Sequence, residues 1–237
     1  MSSAEMERWL DLQPPAIKKK LVARSFEEAG PMYHMSLDGG IKKFTPYVTR
    51  RTSHDENISI PRVSVAPSIL GCFIGYCAAW GDVAYPDLRD KSFKNGWYLY
   101  EIPYKECIRP STKVVWDADY TDEHWLVAYD VSSRQYTGAV IAKMFYSEMI
   151  MKPVVGRNPR LYVKLVVEVM TGTVNFGDDL ILSTGYWEVS GPEPMQVDDW
   201  KAVHEYTVRK MSAGEYATAK KYTADMLSMS APVAMKW

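Results

Sequence analysis

The sequence predicts an α+β protein in which mostly antiparallel mixed sheets surround one buried helix, with further helices flanking the sheets at both ends of the chain. Three observations lead to this fold class. Apolar residues near the N-terminus recur every three or four positions, which is typical of helices. Most of the middle of the chain consists of short segments rich in β-branched and aromatic residues, which favours strands. One segment among them is apolar nearly throughout, which predicts a helix buried on all sides.

The predicted helices lie near both termini and once in the middle. They cover residues 4–12, 16–28, 69–80, about 197–210 and 213–229. Pro14 and Pro15 separate the first two, because proline breaks a helix interior and is tolerated in a first turn. Ser68 precedes the apolar helix, and its side chain is suited to cap that helix.

The predicted strands follow one another with turn signals between most of them. They cover residues 32–36, 58–66, 97–102, 113–116, 124–129, 136–145, 160–170 and 180–189. Pro61 lacks a backbone donor, so the strand that contains it is expected at a sheet edge or at a bulge.

These elements predict three parts of the chain. Residues 1–30 form N-terminal helices, residues 31–190 form the α+β core, and residues 191–237 form C-terminal helices packed on that core. Strands grouped between helices, rather than strands alternating with helices, favour α+β over α/β.

Composition limits the class of protein. The 237 residues are 47% hydrophobic and 24% charged, which is typical of a globular protein. A net charge of −1 argues against a protein that mainly grips nucleic-acid backbone. Three cysteines without CxxC spacing predict reduced thiols and a cytoplasmic location. The longest apolar segment is too short to span a bilayer, so no membrane association is expected.

Several common catalytic signatures are absent. The sequence contains no GxxxxGK[ST], GxGxxG, GxSxG or HExxH motif, which argues against P-loop enzymes, Rossmann dehydrogenases, α/β-hydrolases and zincins. The four histidines lie far apart, and no residues near the cysteines complete a ligand set. No metal is therefore expected.

Three short segments carry the remaining chemistry. Tyr33-His34-Met35-Ser36 places a histidine on an early strand, residues 61–68 (PRVSVAPS) form a strand that runs into the buried helix, and residues 121–125 (TDEHW) place a carboxylate where a later strand begins. In this order the segments resemble the ADP-ribosyltransferase-like fold, especially its small phage and toxin–antitoxin members. The resemblance covers about residues 31–148.

The resemblance implies a phage-encoded protein of the host cytoplasm that either uses NAD as a substrate to modify a host protein or nucleic acid, or keeps the fold without activity and binds the nucleotide as a sensor. His34 would hydrogen-bond the adenosine-side ribose, Ser64 would support the cleft, and Glu123 would be the catalytic carboxylate. A fixed carboxylate suits this chemistry, because cleavage of the nicotinamide glycosidic bond builds positive charge on the ribose. Further residues suited to hold NAD are aromatic rings for stacking and an arginine for the pyrophosphate: Tyr33, Tyr76, Trp125 and Arg50.

Each site residue also has a purely structural interpretation. His34 is explained equally by a hydrogen bond within the fold, and Glu123 beside Asp122 by turn chemistry. Ser64 is explained by a buried, backbone-bonded hydroxyl, and Arg50 by a solvated loop.

A charge asymmetry near the C-terminus supports a different class of function. Residues 171–200 contain six acidic residues and no Lys or Arg, whereas residues 201–237 contain six basic and three acidic residues. Such a pattern is typical either of an acidic loop beside a basic helix or of a docking surface for a protein partner. The alternative function is therefore a non-enzymatic binding protein, an inhibitor or a virion structural protein that uses residues 171–237.

Overall fold

The computed structural model describes residues 3–48, 60–78, 96–115, 118–128, 135–154, 157–177, 180–192 and 206–229. Within these ranges the helices are α1 (Ser3–Asp11), α2 (Pro15–Lys18), α3 (Phe26–Ala29), α4 (Ile69–Ala78), α5 (Ala118–Thr121) and α6 (Ala213–Met229). The strands are β1 (Leu21–Ser25), β2 (Tyr33–Ser36), β3 (Lys43–Phe44), β4 (Arg62–Val65), β5 (Trp97–Glu101), β6 (Glu106–Pro110), β7 (His124–Val127), β8 (Tyr136–Thr137), β9 (Ala139–Val154), β10 (Arg157–Gly177), β11 (Leu180–Pro192) and β12 (Thr207–Met211).

The strands form three sheets, and the protein belongs to the α+β class. A four-stranded sheet has the order β1-β6-β7-β4, a six-stranded sheet has the order β12-β11-β10-β9-β5-β2, and β3 pairs with β8. Every strand pair in the described part of the chain is antiparallel. The two larger sheets meet where Tyr33 and Ala66 exchange backbone hydrogen bonds of 2.8 and 2.9 Å. This junction brings β2 to the outer edge of β4.

Three apolar clusters hold the sheets and helices together. The first packs α4, through Ile69 and Phe73, onto one face of the six-stranded sheet. The second packs α1, through Met6 and Trp9, onto the four-stranded sheet at Trp125. The third joins residues of all three sheets, among them Phe44, Val63, Val65, Tyr100 and Tyr136. Because Val63 and Val65 alternate with Arg62 and Ser64, β4 turns one face to the third cluster and the other toward Trp125.

Helix α4 begins as its sequence predicts. The Ser68 hydroxyl accepts a hydrogen bond of 2.9 Å from the backbone N–H of Gly71, so the predicted cap is confirmed. Ile69, Leu70, Phe73 and Ile74 are buried, whereas Cys72 is half-buried and Gly75 is exposed. The last two residues of the predicted helix, 79 and 80, lie outside the described residues.

Three element predictions are wrong. Residues 16–28 are not one helix, because β1 lies inside them and pairs with β6 from Leu21 to Ser25. Residues 113–115 form a turn rather than a strand, since the N–H groups of Val114 and Val115 both bond to the Ser111 carbonyl. Residues 207–210 are strand β12 rather than helix, residue 206 is not helical, and residues 197–205 of that predicted helix lie outside the described residues. In the two strands, pairing within a sheet outweighs a weak helical pattern.

Helix α6 is predicted with its observed bounds and packs on the six-stranded sheet. The Tyr216 ring stacks on Tyr186 at 4.2 Å, and its hydroxyl donates a 2.6 Å hydrogen bond to Glu168. The Thr223 hydroxyl donates to the Tyr146 carbonyl at 3.3 Å. Residues 216 and 223 are seven apart and so share one face of the helix. Over residues 213–223, whose side chains the structure describes, these polar and aromatic contacts hold the helix on the sheet.

A capping box begins α6. Glu215 accepts a 2.7 Å hydrogen bond from the Ser212 N–H, and the Ser212 hydroxyl accepts a 3.2 Å bond from the Glu215 N–H. The Ser212 N–H, the Arg209 guanidinium and the Ser212 hydroxyl lower the pKa of Glu215 to about 2. Since this pKa is depressed in the folded protein, the cap's contribution is complete above the ordinary value of 4.5 and is lost as the pH falls to about 2.

We expect the first turn of α6 to loosen between pH 4.5 and pH 2. Amide hydrogen exchange at Ser212 and the following residues measures this loosening. Glu215→Gln is the matched control, because glutamine at this position accepts the same hydrogen bonds without titrating. Exchange that accelerates equally in the wild type and in Glu215→Gln would contradict the assignment.

Candidate functional site

His34 lies on β2 and is bonded to the backbone of β4. Its imidazole Nδ1 is 2.9 Å from the carbonyl oxygen of Ser64, and its ring meets Phe44 edge-on at 5.1 Å. A carbonyl only accepts hydrogen bonds, so Nδ1 carries the proton. Burial lowers the pKa of His34, and the bond to Ser64 opposes part of that shift. At neutral pH the ring is therefore uncharged, and its Nε2 is a hydrogen-bond acceptor.

The edge of β4 explains why a histidine stands at this position. Arg62 exchanges backbone hydrogen bonds of 3.0 and 3.2 Å with Tyr47. Ala66 exchanges backbone hydrogen bonds of 2.8 and 2.9 Å with Tyr33. Ser64 lies between these two bridges, and its carbonyl faces the same edge because alternate residues of a strand do. The His34 ring bonds to that carbonyl. This structural hydrogen bond is made by Nδ1 and does not involve Nε2.

Ser64 on β4 is paired with Trp125 on β7, the adjacent strand of the four-stranded sheet. The register of β4 with β7 pairs Ser64 directly with Trp125, and the Ser64 side chain is exposed. The structural interpretation of Ser64 as a buried hydroxyl is therefore wrong. Directly opposed residues of antiparallel strands have Cβ atoms about 5 Å apart.

Glu123 stands in the turn that leads from α5 into β7. Asp122 has a φ of 47°, a left-handed conformation that aspartate tolerates, and the turn delivers Glu123 to the start of the strand. The Glu123 carboxylate accepts a 2.8 Å hydrogen bond from the indole Nε1 of Trp125. On the same ring lies the guanidinium of Arg62, with its central carbon 4.4 Å from the ring centroid.

The geometry links four of the predicted site residues through one chain of contacts. His34 bonds to the Ser64 carbonyl, Ser64 faces Trp125, and Trp125 bonds to Glu123. His34 and Glu123 share no direct hydrogen bond within the described ranges. The His34 ring packs on Phe44 of the third cluster, whereas Trp125 belongs to the second. The two groups therefore flank β4 rather than touch.

Sequence reasoning named Trp125 only as a stacking ring and did not identify Arg62 as part of this site. Arg62 is 2% exposed and Trp125 is fully buried. An arginine in an otherwise apolar strand, at PRVSV, is the signal that points to it, because a buried cation needs an aromatic or anionic partner. Burial lowers the pKa of Arg62, and the negative charge of Glu123 opposes that shift.

The other predicted site residues stand apart from this chain of contacts. The Tyr33 ring is 1% exposed and packs in the first cluster, on the face of β2 opposite His34. Tyr76 lies in the second half of α4, but its side chain lies outside the described residues. Arg50 also lies outside the described residues.

A separate apolar pocket opens between α4 and the six-stranded sheet. Its empty space, including the mouth, is about 300 Å³, and all its lining residues are apolar or aromatic, among them Leu70, Phe73, Tyr146 and Tyr206. None of the predicted site residues lines it. Its lining has no charged group that would bind a phosphate or a ribose.

Part of the C-terminal charge asymmetry is neutralised within the protein. Arg209 forms ion pairs with Glu188 on the neighbouring strand, at 3.5 Å, and with Glu215. The described residues contain no group of three or more His, Cys, Asp or Glu side chains arranged to hold a metal ion. Each helix in the described ranges is too short or too polar to cross a bilayer.

Comparison with protein-family models, with curated proteins and with solved structures finds no match to this chain.

Proposed function

We propose that this protein is an NAD-dependent enzyme of the ADP-ribosyltransferase-like type, with its site on β2, β4 and β7. The observation that carries the proposal is the chain of contacts from His34 through Ser64 and Trp125 to Glu123. These segments are about 30 and 60 positions apart in the sequence, and β2, β4 and the start of β7 lie next to one another in the fold.

Each residue has a role that follows from its chemistry. Nε2 of neutral His34 accepts a hydrogen bond from a ribose hydroxyl of NAD. The Glu123 carboxylate stabilises the positive charge that develops on the nicotinamide ribose as the C–N glycosidic bond breaks. The electron pair of that bond leaves with nicotinamide, and the acceptor's nucleophile bonds to the ribose carbon and loses its proton. In this proposal the acceptor is a host macromolecule.

The experiment measures NAD binding by calorimetry and nicotinamide release by chromatography, in the wild type and in Glu123→Gln. We expect both proteins to bind NAD and only the wild type to release nicotinamide, with a loss of at least about 100-fold in the variant. The melting temperature stays nearly unchanged, because the glutamine oxygen still accepts the Trp125 indole N–H.

Glu148→Gln is the control, since Glu148 pairs with Lys164 on the six-stranded sheet and is not part of the chain of contacts. It should release nicotinamide at the wild-type rate. Absence of NAD binding in the wild type would refute the proposal and direct attention to a binding function at residues 171–237. Full turnover in Glu123→Gln would remove Glu123 from the mechanism.

A further inference from the structure

The Trp125 ring lies between a cation and an anion. The Arg62 guanidinium lies over its face, and the Glu123 carboxylate accepts its indole N–H at the ring edge. The side chains of Arg62 and Trp125 are buried, so the contact between them is shielded from water. Glu123 is half-buried.

These two contacts reinforce each other. A cation on the ring face draws electron density from the indole, which makes its N–H a stronger donor. A donor N–H bound to an ionised carboxylate is also stronger than one bound to a neutral acceptor. The hydrogen bond from the Trp125 indole to Glu123 Oε1 is therefore stronger than it would be without Arg62 on the ring.

The hydrogen bond engages only one of the two carboxylate oxygens. Oε1 receives the indole N–H, and within the described part of the chain Oε2 accepts no hydrogen bond. The Glu123 N–H also bonds to the Ala118 carbonyl at 3.3 Å, so the backbone of this residue is fixed as well.

We infer that Trp125 is the positioning residue for Glu123: its indole N–H, backed by Arg62, fixes Oε1 and leaves Oε2 for the ribose of NAD. This inference rests on the proposed function. It assigns to Trp125 a task other than stacking on NAD, which full burial of the ring rules out.

The first test is the steady-state kinetics of Trp125→Phe. Phenylalanine keeps an aromatic ring beneath Arg62 but has no N–H to hold the carboxylate. We expect the kcat for nicotinamide release to fall about 10- to 100-fold, with the KM for NAD changed less than about twofold, because loss of orientation affects the reacting geometry more than binding. Trp9→Phe is the matched control, since Trp9 is a buried tryptophan of the same cluster and its kcat should stay at the wild-type value.

The second test follows the Trp125 indole N–H by NMR, and it does not depend on activity or on Trp125→Phe folding. In Glu123→Ala this resonance should shift to the frequency of an indole without an anionic acceptor, whereas in Glu123→Gln it should shift less. An unchanged resonance in Glu123→Ala would show that the bond is absent and overturn the inference.

The outcomes separate the inference from the proposed function. Wild-type kcat in a folded Trp125→Phe overturns the positioning role and leaves the NAD reaction intact. A wild type that neither binds NAD nor releases nicotinamide overturns the proposed function directly, and the positioning role with it. A loss of kcat in Trp125→Phe together with the shifted indole resonance supports the inference.

Discussion

Replacing Gly71 with alanine is expected to destabilise the protein by about 2–3 kcal/mol. A Cβ atom at this position would lie less than 3.0 Å from the backbone carbonyl oxygen of Thr121, which ends α5. A backbone carbonyl cannot rotate away as a side chain can, so α4 would have to move off α5. That movement would disturb Ile69 and Phe73 in the first cluster, and overpacking of this kind usually costs about 1–3 kcal/mol or more. The gain in helix propensity from glycine to alanine, about 1 kcal/mol, is smaller and of opposite sign.

The same helix supplies the control. A Cβ at Gly75, one turn later, meets only the Thr121 side chain, at 3.5 Å, which is an ordinary van der Waals contact. Gly75→Ala should therefore leave stability unchanged or raise it by about 0.5–1 kcal/mol. Urea denaturation of both variants measures the difference. Equal effects at the two positions would show that α4 and α5 are not packed as closely as described.

Truncation of Trp97 to alanine is expected to cost about 3–5 kcal/mol of unfolding free energy. The ring is 2% exposed and forms an edge-to-face triad with Phe73 and Tyr146, both at 5.1 Å between ring centroids. Phe73 and Tyr146 also contact each other, at 5.7 Å. Removing Trp97 breaks two of the three contacts and leaves a cavity between α4 and the six-stranded sheet. Each aromatic pair adds about 0.5–1.5 kcal/mol beyond the apolar area buried.

The variant Trp97→Phe distinguishes the contribution of the aromatic ring from that of the indole N–H. No described residue accepts the Trp97 indole N–H, so phenylalanine loses ring volume but no hydrogen bond. We expect a loss of only about 1–2 kcal/mol in thermal or chemical denaturation. A loss as large as that of Trp97→Ala would mean that the indole N–H has an essential partner.

The elements predicted best from the sequence are the helices whose own residues favour the structure that they adopt in the fold. Helix α4 has a capping serine and continuous apolar character, and α6 has helical residues throughout its observed length. Strand β1 and strand β12 were missed because each pairs with a strand, β6 or β11, that is not adjacent to it in the sequence. Neither strand has a strong alternating pattern of its own. A signal that was available but unused is Ser212 followed by Glu215, the capping box that marks where β12 ends and α6 begins.

For the candidate site, the sequence predicted which segments lie close together but not which side chains contact one another. His34 and Ser64 lie on neighbouring strands and Glu123 directly precedes the next one, β7, and their roles with NAD stay predictions. The tautomer of His34 depends on a carbonyl exposed between two backbone bridges, which only the folded chain reveals. Likewise, the contact between Arg62 and Trp125 depends on the register of β4 against β7, and a shift of one residue would turn these side chains to opposite faces.

The charged residues of β12 have a consequence for solubility. This strand is the outermost of the six-stranded sheet, and the outer edge of a sheet can recruit a strand from another molecule. Arg209 and Lys210 are both exposed on it, and Lys210 also lies over the Trp187 ring at 5.6 Å. A neighbouring strand would have to displace the water around Lys210 and fit beside the ion-paired Arg209 in order to pair there. Because charged residues on an edge strand disfavour pairing with another molecule, the basic residues that suggest a docking surface in the sequence are also of the kind that disfavours edge-to-edge aggregation.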